Sequence, residues 1–159
     1  LSHTRRKHHR ARAVLLAKRD NTPISFAMLD IDHFKKVNDQ YGHPVGDRVI
    51  KSLAKMIRQR VRKSDVVGRY GGEEFAVVLH GATLDDAHRI MNRIRQDFSH
   101  VYHSYEDGIF SSSFSCGISG YPSFDDPNVI AAKADAALYE AKRAGRNNVQ
   151  LFGRQISGK

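Results

Sequence analysis

Apolar residues recur along this chain with two periods. Residues 24–31, Ile-Ser-Phe-Ala-Met-Leu-Asp-Ile, form a nearly unbroken apolar run. Such a run predicts a central strand buried on both faces. Thr4 to Arg19 reads as a helix with Ala11, Val14 and Leu15 on its apolar side, broken by Asn21-Thr22-Pro23. Phe34 to Tyr41 reads as a short helix capped by Asp32 and interrupted by Gly42. Pro44 to Arg60 carries the stripe Val45, Val49, Leu53, Met56 and Ile57 of an amphipathic helix. Val66-Val67 and Phe75 to Leu79 read as strands around Gly71-Gly72, a hairpin in which the glycines are expected to supply positive φ. Thr83-Leu84-Asp85-Asp86 has the form of a capping box opening a helix to about Phe98. Tyr102 to Gly108 is a polar excursion with no element assigned, and Ser111 to Ser119 alternates as a strand does. Pro122 to Pro127 is a loop, Asn128 to Ala144 a helix ending near Gly145, and Val149 to Phe152 a last short strand.

The elements therefore run helix, then β-α-α-β-β-α-β-α-β. Within that order lies β-α-β-β-α-β, the split βαβ arrangement of ferredoxin-like folds. The expected class is α/β in the α+β sense, with a central antiparallel sheet flanked by helices. In this topology the first and third strands are neighbours at the sheet centre. Asp30 then lies beside the turn Gly71 to Glu74, although 43 positions separate Asp30 from Glu73.

Composition narrows the function classes. The chain has 159 residues, which fits one domain. With 40% apolar and 27% charged residues it is neither a disordered tail nor a coiled coil. No apolar run approaches the roughly 20 residues of a bilayer-spanning helix. Cys116 is the single cysteine, which excludes an internal disulfide and suits a reducing compartment. The net charge of +9 is concentrated early: Arg5, Arg6, Lys7, Arg10, Arg12, Lys18 and Arg19 precede the first acidic residue, Asp20. No nucleic-acid module follows and no aromatics interleave with these cations, which argues against a nucleic-acid partner and for a solvated helix. His3, His8 and His9 lack ligand spacing and read as surface histidines.

The chemistry lies at the expected juncture of Asp30 with Glu73 and Glu74. Carboxylates gathered at one sheet edge repel unless a cation neutralises them. Hard oxygens with no cysteine nearby suit Mg²⁺ or Mn²⁺, which keep positions open for phosphate oxygens. Two ions would together polarise an α-phosphate and activate an attacking hydroxyl. Spacing alone leaves a second reading equally open, in which Glu73 and Glu74 are solvated turn residues.

Four blocks go further. Arg69-Tyr70-Gly71-Gly72-Glu73-Glu74-Phe75 is joined by Asp30-Ile31-Asp32-His33-Phe34-Lys35-Lys36-Val37-Asn38-Asp39. Tyr41-Gly42-His43 with Gly46-Asp47 follows, and then Ala134-Asp135, Leu138-Tyr139, Ala141-Lys142 and Gly145-Arg146-Asn147. In content and order these blocks resemble the GGDEF family, the diguanylate cyclases, in its GGEEF variant, over nearly the whole chain. The family's cyclase-palm fold agrees with the strand order above. The resemblance implies a catalytic domain at 21–159 behind a linker or signalling helix at 1–20.

It also implies roles. Asp30, the carbonyl of Ile31, Glu73 and Glu74 would hold two divalent ions in each half-site. Glu73 and Glu74 are the implied catalytic residues, and Glu73 matches the acceptor of the ribose 3′-hydroxyl proton. A metal-bound carboxylate is a poor base, so the metal itself is the other candidate to activate that hydroxyl. Phe34, Lys35, Asn38, His43, Asp47, Gly71, Gly72, Lys142 and Arg146 match positions around GTP. Asn38 and Asp47 fall on the guanine, while Lys35, Lys142 and Arg146 fall on the phosphates. Asp47 can accept from guanine N1–H and the 2-amino group together, whereas adenine would leave it unpaired. Arg62-Lys63-Ser64-Asp65 fits the R-x-x-D site at which the product inhibits, with Arg69 as a helper.

The implied reaction condenses two GTP into cyclic di-GMP with release of two pyrophosphates, by two domains facing each other as a homodimer. The alternative is a catalytically silent domain that only binds GTP or cyclic di-GMP, against which the intact acidic and basic positions argue. The resemblance further implies a bacterial cytoplasmic location and an upstream sensory region, with tethering to the inner membrane as one arrangement.

Overall fold

The structure, a computed structural model, describes residues 3–152, with the side chains of His3 and Arg6 excepted. The end of the domain expected at 21–159 and the His3 side chain thus lie outside the described residues. The elements are α1 (His3–Asp20), β1 (Ile24–Ile31), α2 (Phe34–Tyr41), α3 (His43–Arg60), β2 (Val66–Arg69) and β3 (Glu74–His80). They continue with α4 (Leu84–Phe98), β4 (His103–Tyr105), β5 (Gly108–Phe110), β6 (Phe114–Tyr121), α5 (Pro127–Arg143) and β7 (Val149–Leu151).

The apolar run at 24–31 becomes the middle of the sheet. Strand order is β2-β3-β1-β6-β7, and all eight residues of β1 are buried. β1 is antiparallel to β3 and β6, and β7 adds in parallel to β6. This is the mostly antiparallel, helix-flanked sheet expected, with the first and third strands adjacent. Side chains alternate across a strand, so the two faces of β1 feed two cores. Ala27, Leu29 and Ile31 pack with α3 and α4 through Val49, Leu53, Ile57, Met91, Ile94 and Phe98. Phe26 and Met28 pack with α1 and α5 through Ala13, Val14, Ala17, Ile130, Ala134 and Leu138. Burying each large apolar side chain contributes about 1.5–3 kcal/mol, which is what flattens helices onto both faces. Among the described residues, no helix is long and apolar enough to cross a membrane.

Several expectations are corrected. The buried side of α1 is Arg10, Ala13, Val14 and Ala17, while Leu15 is 66% exposed. That spacing is itself helical, but Arg10 disguises it. Its guanidinium lies 5.7 Å from the Phe26 ring centroid and 5.8 Å from that of Tyr70, so a cation is buried against aromatic faces. Asp32 does not cap α2. His33 occupies the cap position at φ 53 with no side-chain cap bond. Gly71 and Gly72 are not among the positive-φ glycines, which are Gly42, Gly81 and Gly145, so torsional freedom does not explain the Gly-Gly pair. The polar excursion after Tyr102 forms a separate hairpin of β4 and β5. The strand assigned to Ser111–Ser119 runs instead from Phe114 to Tyr121. The capping box at Thr83 is present in full, with Asp86 N–H donating to Thr83 Oγ1 at 3.1 Å and Thr83 N–H to Asp86 Oδ2 at 3.3 Å.

Candidate active site

The sheet register brings distant acidic residues together. Asp30, at the end of β1, lies opposite Glu74, at the start of β3. One step further, Ile31 N–H donates to the Glu73 carbonyl at 3.1 Å. The Gly-Gly turn is closed by Tyr70 N–H donating to the Glu74 carbonyl at 2.8 Å. Arg69 folds back over it, its Nη2 donating to the Gly72 carbonyl at 2.7 Å. Gly72 faces open space, and a Cβ on Gly71 would come within 3.2 Å of Glu74 Oε1. The turn is thus thin and accessible on the side of the carboxylates.

Asp30 is 8% exposed, and its Oδ2 accepts from Lys142 Nζ at 2.6 Å. The Glu74 carboxyl titrates above the usual glutamate value. Burial is the main cause, and the negative charges of Asp30, Asp135 and Glu73 add to it against the opposing pull of Lys142. Three other carboxylates therefore act on Glu74, beside the Gly-Gly turn. Among the described residues, no three His, Cys, Asp or Glu side chains already stand in metal-holding geometry. The donor set nonetheless fits a hard divalent cation: it is all oxygen, mutually repelling and partly compensated by Lys142.

The remaining positions fall into three groups. Asn38, on α2, has its Oδ1 buried with no hydrogen-bond partner among the described residues. It sits directly against Gly46 on α3, where any Cβ would collide with that oxygen, and the Phe34 ring closes the same space. Buried acceptors are rarely left unpaired, so Asn38 marks a place prepared for a donor. His43 opens α3, and both it and Asp47 are exposed. Of the basic positions, Lys142 lies in the last turn of α5 but Arg146 lies beyond it, at φ 66. Although the two stand four positions apart, they do not share a helical face. Lys35 is exposed and pairs with Asp39 at 2.9 Å.

The Arg62–Asp65 segment forms a separate place. Asp65 accepts from Arg62 N–H at 2.9 Å and from His80 N–H at 3.0 Å, which pins the end of the hairpin ribbon. Arg62 also donates to the His80 carbonyl. Arg60, Arg62, Asp65 and Arg89 line a cleft of about 250 Å³ there. Arg69 is at the opposite end of the ribbon, paired with Phe75 rather than His80. Five strand positions separate those ends, roughly 17 Å, and Arg69 bonds to the Gly-Gly turn.

Three features escaped the sequence reading. Asp135 had a place in a motif but no role. Arg89 reaches the second cleft from α4, a placement implied once the Thr83 capping box fixes where that helix starts. Asp32 is buried at 7% exposure and accepts from Ser113 Oγ at 2.7 Å, Ser115 Oγ at 2.6 Å and Asn147 N–H at 3.0 Å. It ties the loop that carries Arg146 to the end of β1.

The family described as Diguanylate cyclase, GGDEF domain, matches residues 3–148. The chain is 37% identical over 133 residues to the diguanylate cyclase DgcP of Pseudomonas aeruginosa, covering 84% of this chain and 20% of that protein. It is 41% identical over 130 residues to diguanylate cyclase A of Treponema denticola, covering 80% of this chain and 35% of that one. The chain thus spans well under half of the length of either relative. Among solved structures, it superposes with a TM-score of 0.87 at 32% identity on the GGDEF domain of DgcB from Caulobacter crescentus, in complex with c-di-GMP. That match covers 92% of this chain and 88% of that one. The active GGEEF domain of a diguanylate cyclase from Vibrio cholerae gives a TM-score of 0.85 at 35% identity, with 94% of each chain covered. With sheet order, acidic register and family match in agreement, the chain belongs to the GGDEF domain family of diguanylate cyclases.

Proposed function

We propose that this domain condenses two molecules of GTP into cyclic di-GMP with release of two pyrophosphates. The observation that carries the reading is the register of Asp30 against Glu74 beside an open Gly-Gly turn, with Lys142 on Asp30. Asp30, Glu73 and Glu74, with the Ile31 carbonyl, would hold two divalent ions, Mg²⁺ or Mn²⁺. When bound, such ions lower the pKa of the 3′-hydroxyl and offset charge developing on the α-phosphate.

The chain's own residues do the rest by positioning. Gly71 and Gly72 let the triphosphate approach the backbone. Lys142, Lys35 and Arg146 balance the charge of the β- and γ-phosphates, and Lys142 also pairs with Asp30. Asn38 Oδ1 accepts from the guanine 2-amino group, and the Asp47 carboxylate accepts from the N1–H edge. Holding the 3′-oxygen of one GTP in line with the α-phosphate of another contributes most of the acceleration. One domain holds one GTP, so two domains must face each other, as a homodimer that can be transient. Cyclic di-GMP would inhibit by binding at Arg62 and Asp65, with Arg60 and Arg89 in the same cleft. In this reading residues 1–20 form the signalling linker and 21–159 the catalytic domain, behind an upstream sensory or membrane-tethered region of a bacterial cytoplasmic protein.

The test is incubation with GTP and Mg²⁺, chromatography of the products, and comparison with Glu74→Gln. Wild type should yield cyclic di-GMP and pyrophosphate. The variant should lose turnover by about 10²-fold or more. It should also gain thermal stability without Mg²⁺, because a repelling charge is removed, and lose any stabilisation by Mg²⁺. GTP binding without product in the wild type would favour a silent binding domain.

A further inference from the structure

We propose that the β4–β5 hairpin is a brace that sets the guanine-recognising corner, and that Tyr41, Phe110 and Arg48 are positioning residues for base selection. The inference rests on the reading above, in which Asn38 and Asp47 grip the guanine.

Those two residues sit on different helices. α2 and α3 are joined at Gly42 alone, which ends one helix and begins the next at φ 92. Gly42 N–H donates to the Asn38 carbonyl at 2.8 Å, and Gly46 N–H to the Gly42 carbonyl at 3.1 Å. α2 has only eight residues and buries only Phe34 and Val37, both in its first half. Its far end, next to the joint, therefore needs support from elsewhere. Any rotation about Gly42 would change the distance between the Asn38 amide and the Asp47 carboxylate, and with it the fit to one base edge.

The hairpin supplies that support on both sides of the joint. On α2, the Tyr41 ring stacks on Phe110, with centroids 4.0 Å apart and planes 6° from parallel. Its face also meets Tyr105 edge-on at 4.9 Å and 71°. On α3, Arg48 donates through Nη2 to the Ser104 carbonyl at 2.7 Å and through Nη1 to Ser104 Oγ at 3.2 Å. Arg48 is the neighbour of Asp47, so the clamp fixes the turn of helix that carries the base contact. The hairpin is itself anchored to α4, with His103 packed 5.8 Å from Phe98 and 5.3 Å from Phe110. None of these side chains has to touch the nucleotide; they act through the angle between two helices.

A fixed angle matters more for selection than for chemistry. A site built to pair a particular donor set discriminates against an analogue that lacks it, provided its acceptors cannot drift to a compromise position. Releasing the corner should therefore raise KM for GTP and flatten the preference for GTP over inosine triphosphate, which lacks the 2-amino group. kcat at saturation should stay close to wild type, since none of these side chains belongs to the acidic cluster.

The experiment measures steady-state kinetics with both nucleotides for Phe110→Ala, Arg48→Ala, Tyr41→Phe and Asn38→Ala, at one chain concentration and with folding checked by circular dichroism. Phe110→Ala and Arg48→Ala are expected to raise KM for GTP roughly 3–10-fold, with kcat within about twofold and a reduced GTP preference. Tyr41→Phe keeps the ring and should behave as wild type. An unchanged GTP preference in folded Phe110→Ala and Arg48→Ala, or a fall in kcat alone, would overturn the brace. If Phe110→Ala does not fold, Arg48→Ala decides the matter, because its contact is at the surface. Asn38→Ala separates the two levels: a lost preference there with an intact one in the brace variants sinks only the brace, whereas an intact preference in Asn38→Ala sinks the guanine reading as well.

Discussion

Asp32 shows what a single residue does between fold and site. Its position in the Asp30-Ile31-Asp32 block suggested a helix cap, and the structure instead buries it among two serine hydroxyls and a main-chain amide. Those partners lie 81 to 115 positions away, on segments no local pattern relates to residue 32. Asp32→Ala should cost about 2–4 kcal/mol, because a charged acceptor and three hydrogen bonds are lost together. That is a fall in Tm of roughly 5–15 °C by circular dichroism. Asp30, in contrast, was legible as a candidate site residue, since an acidic side chain near the end of a nearly unbroken apolar strand has little structural purpose. Glycines divide the same way. Gly117 faces α5 so closely that a Cβ would enter the main chain at Ala134, Ala137 and Leu138, whereas Gly72 faces open space. Gly117→Ala should therefore destabilise by about 3 kcal/mol or more, since backbone cannot rotate aside. Gly72→Ala should leave Tm nearly unchanged while reducing GTP turnover. A Gly72→Ala protein with full activity would mean that nothing approaches that turn.

Elements were legible in proportion to how much of their signal is local. β1, α3 and the capping box of α4 announced themselves through apolar continuity, periodicity and a four-residue motif. The α1 stripe was misread because one of its buried positions is Arg10, held by aromatic rings from another element. The β4–β5 hairpin went unassigned because its strands have three residues each, too short for a period, and its stability comes from Tyr41 and Phe98 across the fold. That hairpin carries a pH dependence. His103 is buried, and burial together with nearby Arg48 holds its titration below the ordinary value of 6.5. The folded state thus keeps it neutral while the unfolded chain protonates it. Below pH 6.5 the unfolded state binds more protons, so stability falls as pH falls through that value and levels off below the depressed one. His103→Leu removes this term. Its stability relative to wild type, measured by denaturant unfolding, should rise between about pH 7.5 and pH 5. A constant difference over that range would mean that the ring is protonated in place.

At the scale of the whole molecule, the sheet converts sequence separation into proximity. The acidic positions at 30 and 73–74 meet because β3 crosses to the far side of β1, an outcome the split βαβ order predicted before any side chain was placed. What topology could not convey was the state of the cluster: Lys142 engaged with Asp30, and Glu73 and Glu74 only partly buried. A half-open site of this kind is poor at closing a ring by itself. In the proposed reaction one domain presents one guanine corner at Asn38 and one acidic turn, and the proposed product contains two guanosines joined by two phosphodiester bonds. On the proposed reaction the second 3′-hydroxyl would come from another copy, so the reactive species would be a pair of chains, and the chain's net charge of +9 would oppose their encounter. At concentrations where pairs are rare, doubling the chain should double the rate per chain, and the dependence should flatten once pairs dominate. Added salt, by screening the like charges, should raise the rate per chain in the dilute range and have little effect on the plateau. Initial rates of pyrophosphate release over a roughly hundredfold range of chain concentration would measure both effects. A rate per chain that is flat throughout that range would show either a pair already locked at the lowest concentration or a reaction completed within one domain. Sedimentation of the same dilute samples separates these: monomers turning over at the full rate would exclude the two-domain mechanism.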